Sequence, residues 1–548
     1  MAETLLSPGL LIRENDQSQI TQGPITAGAA IVGPTVQGPV RIPTLVTSYS
    51  DYLNKFGGSF ISGGASYEYL TSISAYNYFQ QGGSTLLVTR AVSGAFAPAT
   101  SSIAASGSAA CFSLETLSSG ISANSAGGTE VSGTLASGSS SNVRWEIANS
   151  SSGSGTFNLL IRRGDDNPNS KVILESWSNL SLDPNQSNYI EAVIGNQSVT
   201  TDNGYTQTTG DYTNKSRYVR VKSISLTTPN YFDNNGNPQP QYTSSLPVVA
   251  SGSFGGATGV NCGVYGLTNS DYTSSISLLG NTDEFKFNIV TTPGVRATTG
   301  NAIITSLTNM ASDRGDCIAI VDMSSLGDTI ATVVNNATAI DSSYAAAYYP
   351  WVQVSAPNTG KLTWVPPSTI IPSVFAYNDR ISAPWFAPAG FTRGSLSVIQ
   401  AERKLSPSDR DTLYDGKVNS IATFPGQGVV AYGQKTLQKK ASALDRINVR
   451  RLLIELKSYI GQVADNLVFE QNTIATRNRF LRQVNPYLES IQQRQGLYSY
   501  KVVMDESNNT ADVIDRNQLL GQIFIQPTRT AEFVILDFNV TPTGATFV

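Results

Sequence analysis

The chain has 548 residues, which at ~150 residues per domain predicts three or four domains. Charged residues make up 14%, well below the ~25% of an average soluble protein, and the net charge of -4 gives no general attraction to nucleic acid or anionic membrane. There is no histidine, and Cys111, Cys262 and Cys317 lie far apart with no C-x-x-C pair. This excludes His-based nucleophile activation and His-containing metal sites, and it argues against a disulfide framework.

Residues 1–24 read as an N-terminal arm. Leu10, Leu11 and Ile12 form a short β-prone patch after Pro8-Gly9, too small to pack alone. Met1-Ala2-Glu3-Thr4 is acidic where a signal peptide would be basic, and no apolar run approaches the ~20 residues of a membrane span. The expectation is a chain made in a cytoplasm, without membrane insertion.

An α/β pattern starts near Ile25. Ala29-Ala30-Ile31-Val32 reads as a buried strand ended by Gly33-Pro34. Tyr69, Ile73 and Tyr76 recur at helical spacing, with Ser66 as cap and Gly82-Gly83 as stop. A β run over 85–92 follows. At Ser93 the texture changes to Ser, Gly and Ala, then to short alternating segments such as Tyr218-Val219-Arg220-Val221-Lys222, so 93–279 reads as an inserted β-rich domain. The α/β pattern returns over 280–385, with strands at 285–290, 317–322 and 345–354 and a helix at 301–312. A discontinuous α/β domain, first part 25–92, is therefore expected to carry the insert.

The region 386–536 reads as a C-terminal α+β domain, followed by a C-terminal arm over 537–548. Ile474, Leu481, Val484, Leu488 and Ile491 share one helical face, with Asn472 as cap, Gly496 as stop and Pro486 as a kink. Strands are expected at 498–504, 520–526 and 533–540. In the last, Val534, Leu536, Phe538 and Val540 alternate with Phe533, Ile535, Asp537 and Asn539.

Candidate chemistry is sparse. Gly426-Gln427-Gly428-Val429-Val430-Ala431 matches a dinucleotide fingerprint by letters, but a strand follows where the fingerprint needs a helix N-terminus. Asp233-Asn234-Asn235-Gly236-Asn237 lacks the later Glu of an EF-hand loop and reads as a turn. The carboxylate pairs Asp165-Asp166 and Asp505-Glu506 lie in apparent turns and read as solvated, as does Arg163-Gly164-Asp165. No catalytic residue, cofactor site or metal site is expected. Lys435, Lys439, Lys440, Arg446, Arg450 and Arg451 form the one dense positive cluster. It reads either as a solvated helix face or as a basic strip that docks an acidic partner.

Taken in order, several segments resemble the contractile tail sheath proteins of myovirus-type bacteriophages. They include Ser7-Pro8-Gly9 with Glu14, Ile31-Val32-Gly33 and Gly38-Pro39. Pro388-Ala389-Gly390, Gly416-Lys417-Val418-Asn419, Gly433-Gln434-Lys435-Thr436-Leu437, Asn448-Val449-Arg450-Arg451-Leu452, Val468-Phe469-Glu470 and Asn508-Asn509-Thr510 follow. Tyr432 stands where the family usually has Trp, Lys435 where it has Arg, and Gln471 where it has Pro. The resemblance is essentially absent over 93–279. It implies a non-enzymatic subunit of hexameric rings stacked around a tail tube, with baseplate and tail terminator as further partners. It also implies a C-terminal domain that faces the tube, an outward insert, and terminal arms that add strands to neighbouring subunits. On that reading Leu10, Leu11, Ile12, Phe533, Ile535, Phe538 and Val540 exchange between subunits, and the basic strip meets the tube. A tailocin or other phage-derived sheath fits the same residues. A surface adhesin or S-layer protein explains the polar insert but not the helical C-terminal region.

Overall fold

The computed structural model describes residues 25–62, 64–107, 109–120, 130–131, 133–135, 138–202, 205–259 and 267–532. Its centre is an eight-stranded sheet. Ile25–Gly33 pairs in parallel with Leu86–Arg90 on one side and with Phe285–Arg296 on the other. Ile318–Asp322, Ala345–Tyr349 and Val418–Phe424 extend the parallel order, and the antiparallel strands Thr44–Val46 and Gly428–Tyr432 form the two edges. The inner strands are buried on both faces, so they read as near-continuous apolar runs rather than alternating ones. Leu86–Arg90, Ile318–Asp322 and Ala345–Tyr349 are buried at every position.

Helices cover both faces. Asn269–Leu279, Ala297–Arg314, Ile330–Ala337 and Pro407–Asp415 share one core with Ala30, Val290, Ala319 and Ala347. Tyr49–Phe56, Leu70–Gln80 and Ile371–Ile381 share the other with Ile31, Val88, Ile320 and Tyr348. The helix expected after Ser66 begins later, at Leu70, because Ser59–Ser62 and Ala65–Glu68 pair as a hairpin. The single strand expected over 345–354 is two strands belonging to different sheets, separated at Pro350, which has no N–H to give to a ladder.

The segment after Arg90 forms its own β unit. A four-stranded sheet (Ile173–Ser181, Thr156–Arg163, Val143–Ser151, Ala250–Ser253) and a three-stranded one (Val219–Ile224, Ala110–Ser119, Pro98–Ala104) share one apolar core. Phe112 and Phe157 stack across it at 5.5 Å. The pair Asp165-Asp166 is split by the fold. Asp165 pairs with Arg163 in an exposed turn, whereas Asp166 is buried, correcting the solvated reading. Its carboxylate accepts from Arg162 Nε at 2.7 Å and NH2 at 2.8 Å, with Arg144 beside it. A buried carboxylate needs such charged donors to offset the loss of water.

Arg90 joins this unit to the central sheet. Its side chain is 0% exposed and donates to the carbonyls of Gly38 at 2.7 Å and Ser119 at 2.9 Å, with Phe96 under the guanidinium. Gly38 also donates its N–H to Ser118 Oγ, and its φ of +106° is one that few residues other than glycine adopt.

Two expected domain boundaries move. Asn269–Leu279 contributes Tyr272, Ile276 and Leu279 to the central core, so the insert ends before this helix rather than at 279. The central sheet also continues past 385 through Val418–Phe424 and Gly428–Tyr432, and Leu437 belongs to its core. The separate C-terminal core begins beyond that point. Alternating or apolar segments do not reveal which sheet they join, so neither boundary follows from local pattern.

Replacing residues 97–259 by a short Gly-Ser linker should therefore leave a folded central domain. Extending the deletion to 93–279 should not, because it strips three core side chains worth ~1.5–3 kcal/mol each. Circular dichroism and urea unfolding of the two deletions check this; equal midpoints would show that the helix is dispensable.

Candidate assembly interface

The C-terminal unit is a helical hairpin with a β hairpin laid on it. Ile447–Asp465 and Ile474–Gln493 enclose Leu452, Leu456, Phe480, Val484, Leu488 and Ile491. Thr473, not Asn472, caps the second helix by accepting from Thr476 N–H. Asn472 instead donates to Asn509 and to the Gln518 carbonyl, tying the interhelical loop to the loop that joins the two strands. Pro486, expected to kink or interrupt this helix, lies inside it, and the helix runs on to Gln493 without interruption.

Leu497–Val503 and Gln522–Pro527 form an antiparallel pair; exposure alternates residue by residue along the second strand, and the register shifts between Leu497 and Ser499 in the first. Tyr500, Val502, Ile523 and Ile525 pack on the helices, while Ser499, Lys501, Gln522 and Phe524 face outwards, Phe524 being 57% exposed. Among the described residues no third strand pairs with either side. Each outer edge thus presents a row of N–H and C=O groups, a ready template for an added strand. Leu10, Leu11, Ile12, Phe533, Ile535, Phe538 and Val540 lie outside the described residues.

The basic cluster does not form one surface strip. Only Lys439 and Lys440 are exposed. Arg451 is buried, donates through both terminal nitrogens to Asp379 (2.8 and 2.5 Å), and covers Phe375. Arg450 is buried over the Tyr344 ring and bonded to Ser343. Lys435 Nζ sits 3.3 Å from the centre of the Tyr414 ring and donates to the Tyr414 carbonyl at 3.0 Å. Burial, helped by the charges of Lys417 and Arg446, pushes its ammonium down to about 8. Neither expected reading covers these residues, because the helix Ile447–Asp465 passes between two cores and buries its first turns on several sides.

A further constellation centres on Glu532. Its carboxylate accepts from Arg446 Nε at 2.7 Å, the Tyr414 hydroxyl at 2.8 Å and Gln434 Nε2 at 2.9 Å. These partners come from three separate segments, so no local pattern signals them.

Two of the segments singled out in the sequence are turns. The Gly426-Gln427-Gly428 segment is the turn between two antiparallel strands, and Asp233 accepts the N–H groups of Asn235 and Asn237 in a closed turn. Among the described residues no group of three or more His, Cys, Asp or Glu is placed to hold a metal, and no helix is long and apolar enough to cross a membrane. The carboxyl ends of the parallel strands, where open α/β sheets bind ligands, are covered. There Asp322 lies under the Pro367–Thr369 turn, accepting from Ser368 Oγ at 2.5 Å and Ser368 N–H at 3.0 Å.

Comparison with known proteins decides the family. The model described as phage tail sheath protein central domain matches residues 266–437, and that of the phage tail sheath C-terminal domain matches 439–541, together half of the chain. The chain belongs to the phage tail sheath family. It is 32% identical over 356 residues to the tail sheath protein of Vibrio phage KVP40, covering 60% of this chain and 52% of that one. With the tail sheath protein of Enterobacteria phage T4 it shares 40% identity over 185 residues, covering 34% and 28%. The chain thus spans about half the length, or less, of the curated relatives it matches. Its fold is similar to that of a sheath tail protein from Listeria innocua (TM-score 0.52, 12% identity, 92% of this chain and 96% of that one). It is also similar to the helical sheath of the anti-feeding prophage in its contracted state (TM-score 0.50, 17% identity, 97% and 98%).

Asp322 gives this sheath-family chain a pH signature. Burial raises its carboxyl to about 7, against the opposing effect of the Ser368 and Gly294 hydrogen bonds and the Arg296 charge. Because the folded value lies above the unfolded one of ~3.9, the stabilisation is complete below the unfolded value and is lost as pH rises towards 7. Asp322→Asn should flatten that loss between pH 4 and 7 in urea titrations; an unchanged pH profile would show that Asp322 does not titrate there.

Proposed function

We propose that this chain is the subunit of a contractile tail sheath, a structural and non-enzymatic protein that polymerises as stacked hexameric rings around a tail tube. On this reading the sheath is held extended between baseplate and tail terminator. A baseplate signal lets the lattice shorten and drives the tube through the host envelope, delivering the genome from the virion. Assembly takes place in the host cytoplasm, without nucleic acid contact or membrane insertion. The observation that carries the reading is the C-terminal hairpin, whose two outer edges have no partner among the described residues, in a chain of the sheath family. The β-prone segments at 10–12 and 533–540 are suited to those edges. Strand addition satisfies backbone groups and seats alternate side chains.

Contraction then needs no cofactor. It is a rigid-body rearrangement between two sets of interfaces, with paired arms as hinges. At ~0.5–1.5 kcal/mol net per hydrogen bond, an arm making roughly five bonds is reversible alone, and several per subunit are needed for a stable tube. The C-terminal unit is assigned to the tube side and the insert to the outside. Of the basic residues, the exposed Lys439 and Lys440 are the ones free to meet an acidic tube surface. The likeness to the anti-feeding prophage sheath supports a second reading, a phage-derived injection device without a genome-filled head.

Electron microscopy of the purified full chain tests the proposal. Striated hollow tubes are expected; flat lattices would favour an S-layer, and dispersed monomers under all conditions would overturn the sheath reading. Charge reversal at Lys439 and Lys440 should leave the fold intact and loosen sheath on tube at low salt, since exposed pairs contribute only ~0–1 kcal/mol each. Co-sedimentation with tubes at two ionic strengths checks this. Unchanged association would remove these lysines from the tube contact.

A further inference from the structure

The chain leaves the C-terminal hairpin along a path fixed at each step. Thr528, directly after the strand Gln522–Pro527, donates its N–H to the Gly496 carbonyl at 3.2 Å and its hydroxyl to the Gln495 carbonyl at 2.7 Å. Thr530 Oγ1 accepts from Asn448 Nδ2 at 3.3 Å, in the first turn of the helix Ile447–Asp465. Glu532 then reaches Tyr414 at the end of the helix Pro407–Asp415, Gln434 beyond the edge strand Gly428–Tyr432, and Arg446 at the helix cap. Four residue steps span at most about 14 Å, and within that reach the stretch passes from the hairpin to the central domain.

That path bears on a choice every unpaired edge faces. The outer side of the strand Gln522–Pro527 has no partner among the described residues, and the β-prone residues that follow in sequence could close onto it within the same subunit. Hairpin loops of two to five residues are the common solution, and residues 528–532 are the right number. Such a loop must bring its ends within ~5 Å of one another across the ladder. Glu532 is instead bonded to three side chains of the central domain and the helix cap, none of them in the hairpin. The carboxylate is well held. Its side chain is 19% exposed, the Arg446 guanidinium is 26% exposed, and Arg446 is kept in place by Asp445 at 2.9 Å.

We propose that Glu532 is a positioning residue that keeps the C-terminal segment off its own hairpin and so commits it to the hairpin of a second copy of this chain. Tyr414, Gln434 and Arg446 are the receptor of that anchor. The inference rests on the reading that the C-terminal segment adds a strand to another subunit. It goes beyond it by naming what prevents the competing closure within one subunit, the ordinary hazard of domain-swapped arms.

The test uses the full chain, Glu532→Ala, the chain ended at residue 532, and a synthetic peptide of residues 533–548. If strand addition operates, the peptide binds the shortened chain; failure to bind overturns the strand reading itself, whatever Glu532 does. Given binding, the full-length Glu532→Ala protein should keep its circular dichroism. It should form on the order of tenfold less polymer in sedimentation, and it should no longer accept the peptide because its own segment fills the hairpin. The swap Glu532→Arg with Arg446→Glu should recover part of the polymer, and Tyr414→Phe should give an intermediate loss. A Glu532→Ala protein that polymerises like the parent, or one that stays monomeric yet still binds the peptide, would overturn the anchor.

Discussion

The fold turns on one piece of backbone pairing. Ile25–Gly33 is clasped between Leu86–Arg90 and Phe285–Arg296, strands that lie on opposite sides of the insert in sequence. Both neighbours are parallel to it, so neither can be reached by a tight turn; each connection has to cross a face of the sheet. The same pairing therefore puts helices on both faces and brings the two ends of the insert together. Arg90 finishes the closure from within, since its guanidinium joins Gly38 on one unit to Ser119 on the other.

The positively charged run shows how the C-terminal unit is held to that sheet. The helix Ile447–Asp465 begins in the central core, with Ile447 and Ile454, and ends in the C-terminal one, with Leu456 and Val463. Arg450 and Arg451 lie where it passes between them. Asp379 is part-exposed but Arg451 is buried, so losing this bidentate contact would leave a buried guanidinium without its carboxylate. The joint is thus intolerant of rotation. Under the proposed function, such a joint would keep each subunit stiff and confine change to the contacts between subunits.

The outer face of the C-terminal hairpin is built on the opposite logic. A two-stranded sheet is marginal on its own, and this one is sustained by Tyr500, Val502, Ile523 and Ile525 against the helices. Among the described residues its edges have no partner strand, whereas a monomer would be expected to cover or charge them. An open edge beside a rigid joint suits a part that must accept a strand without changing shape.

Much of this was legible in the sequence, and the limits have physical reasons. The buried strands around Ile31 and Val88, the amphipathic C-terminal helix, the hairpin strands and the interruption after Arg90 all follow from local spacing, which backbone geometry translates directly into period and exposure. The missing histidine excludes His-based nucleophile activation and His-containing metal sites from the sequence alone. What the sequence could not carry was partnership. A strand such as Val418–Phe424 shows its apolar character but not that its neighbour is Ala345–Tyr349, and this moved a domain boundary. Asp166 and Asp165 look alike as letters, yet only one is enclosed by two arginines. Lys435, Arg450 and Arg451 form a cluster in sequence and are dispersed in space, whereas Glu532, Tyr414, Gln434 and Arg446 are dispersed in sequence and gathered in space. Local pattern reports how one segment meets solvent, while charge pairing depends on which distant segments the sheet brings within about 3 Å, and only the tertiary structure decides that.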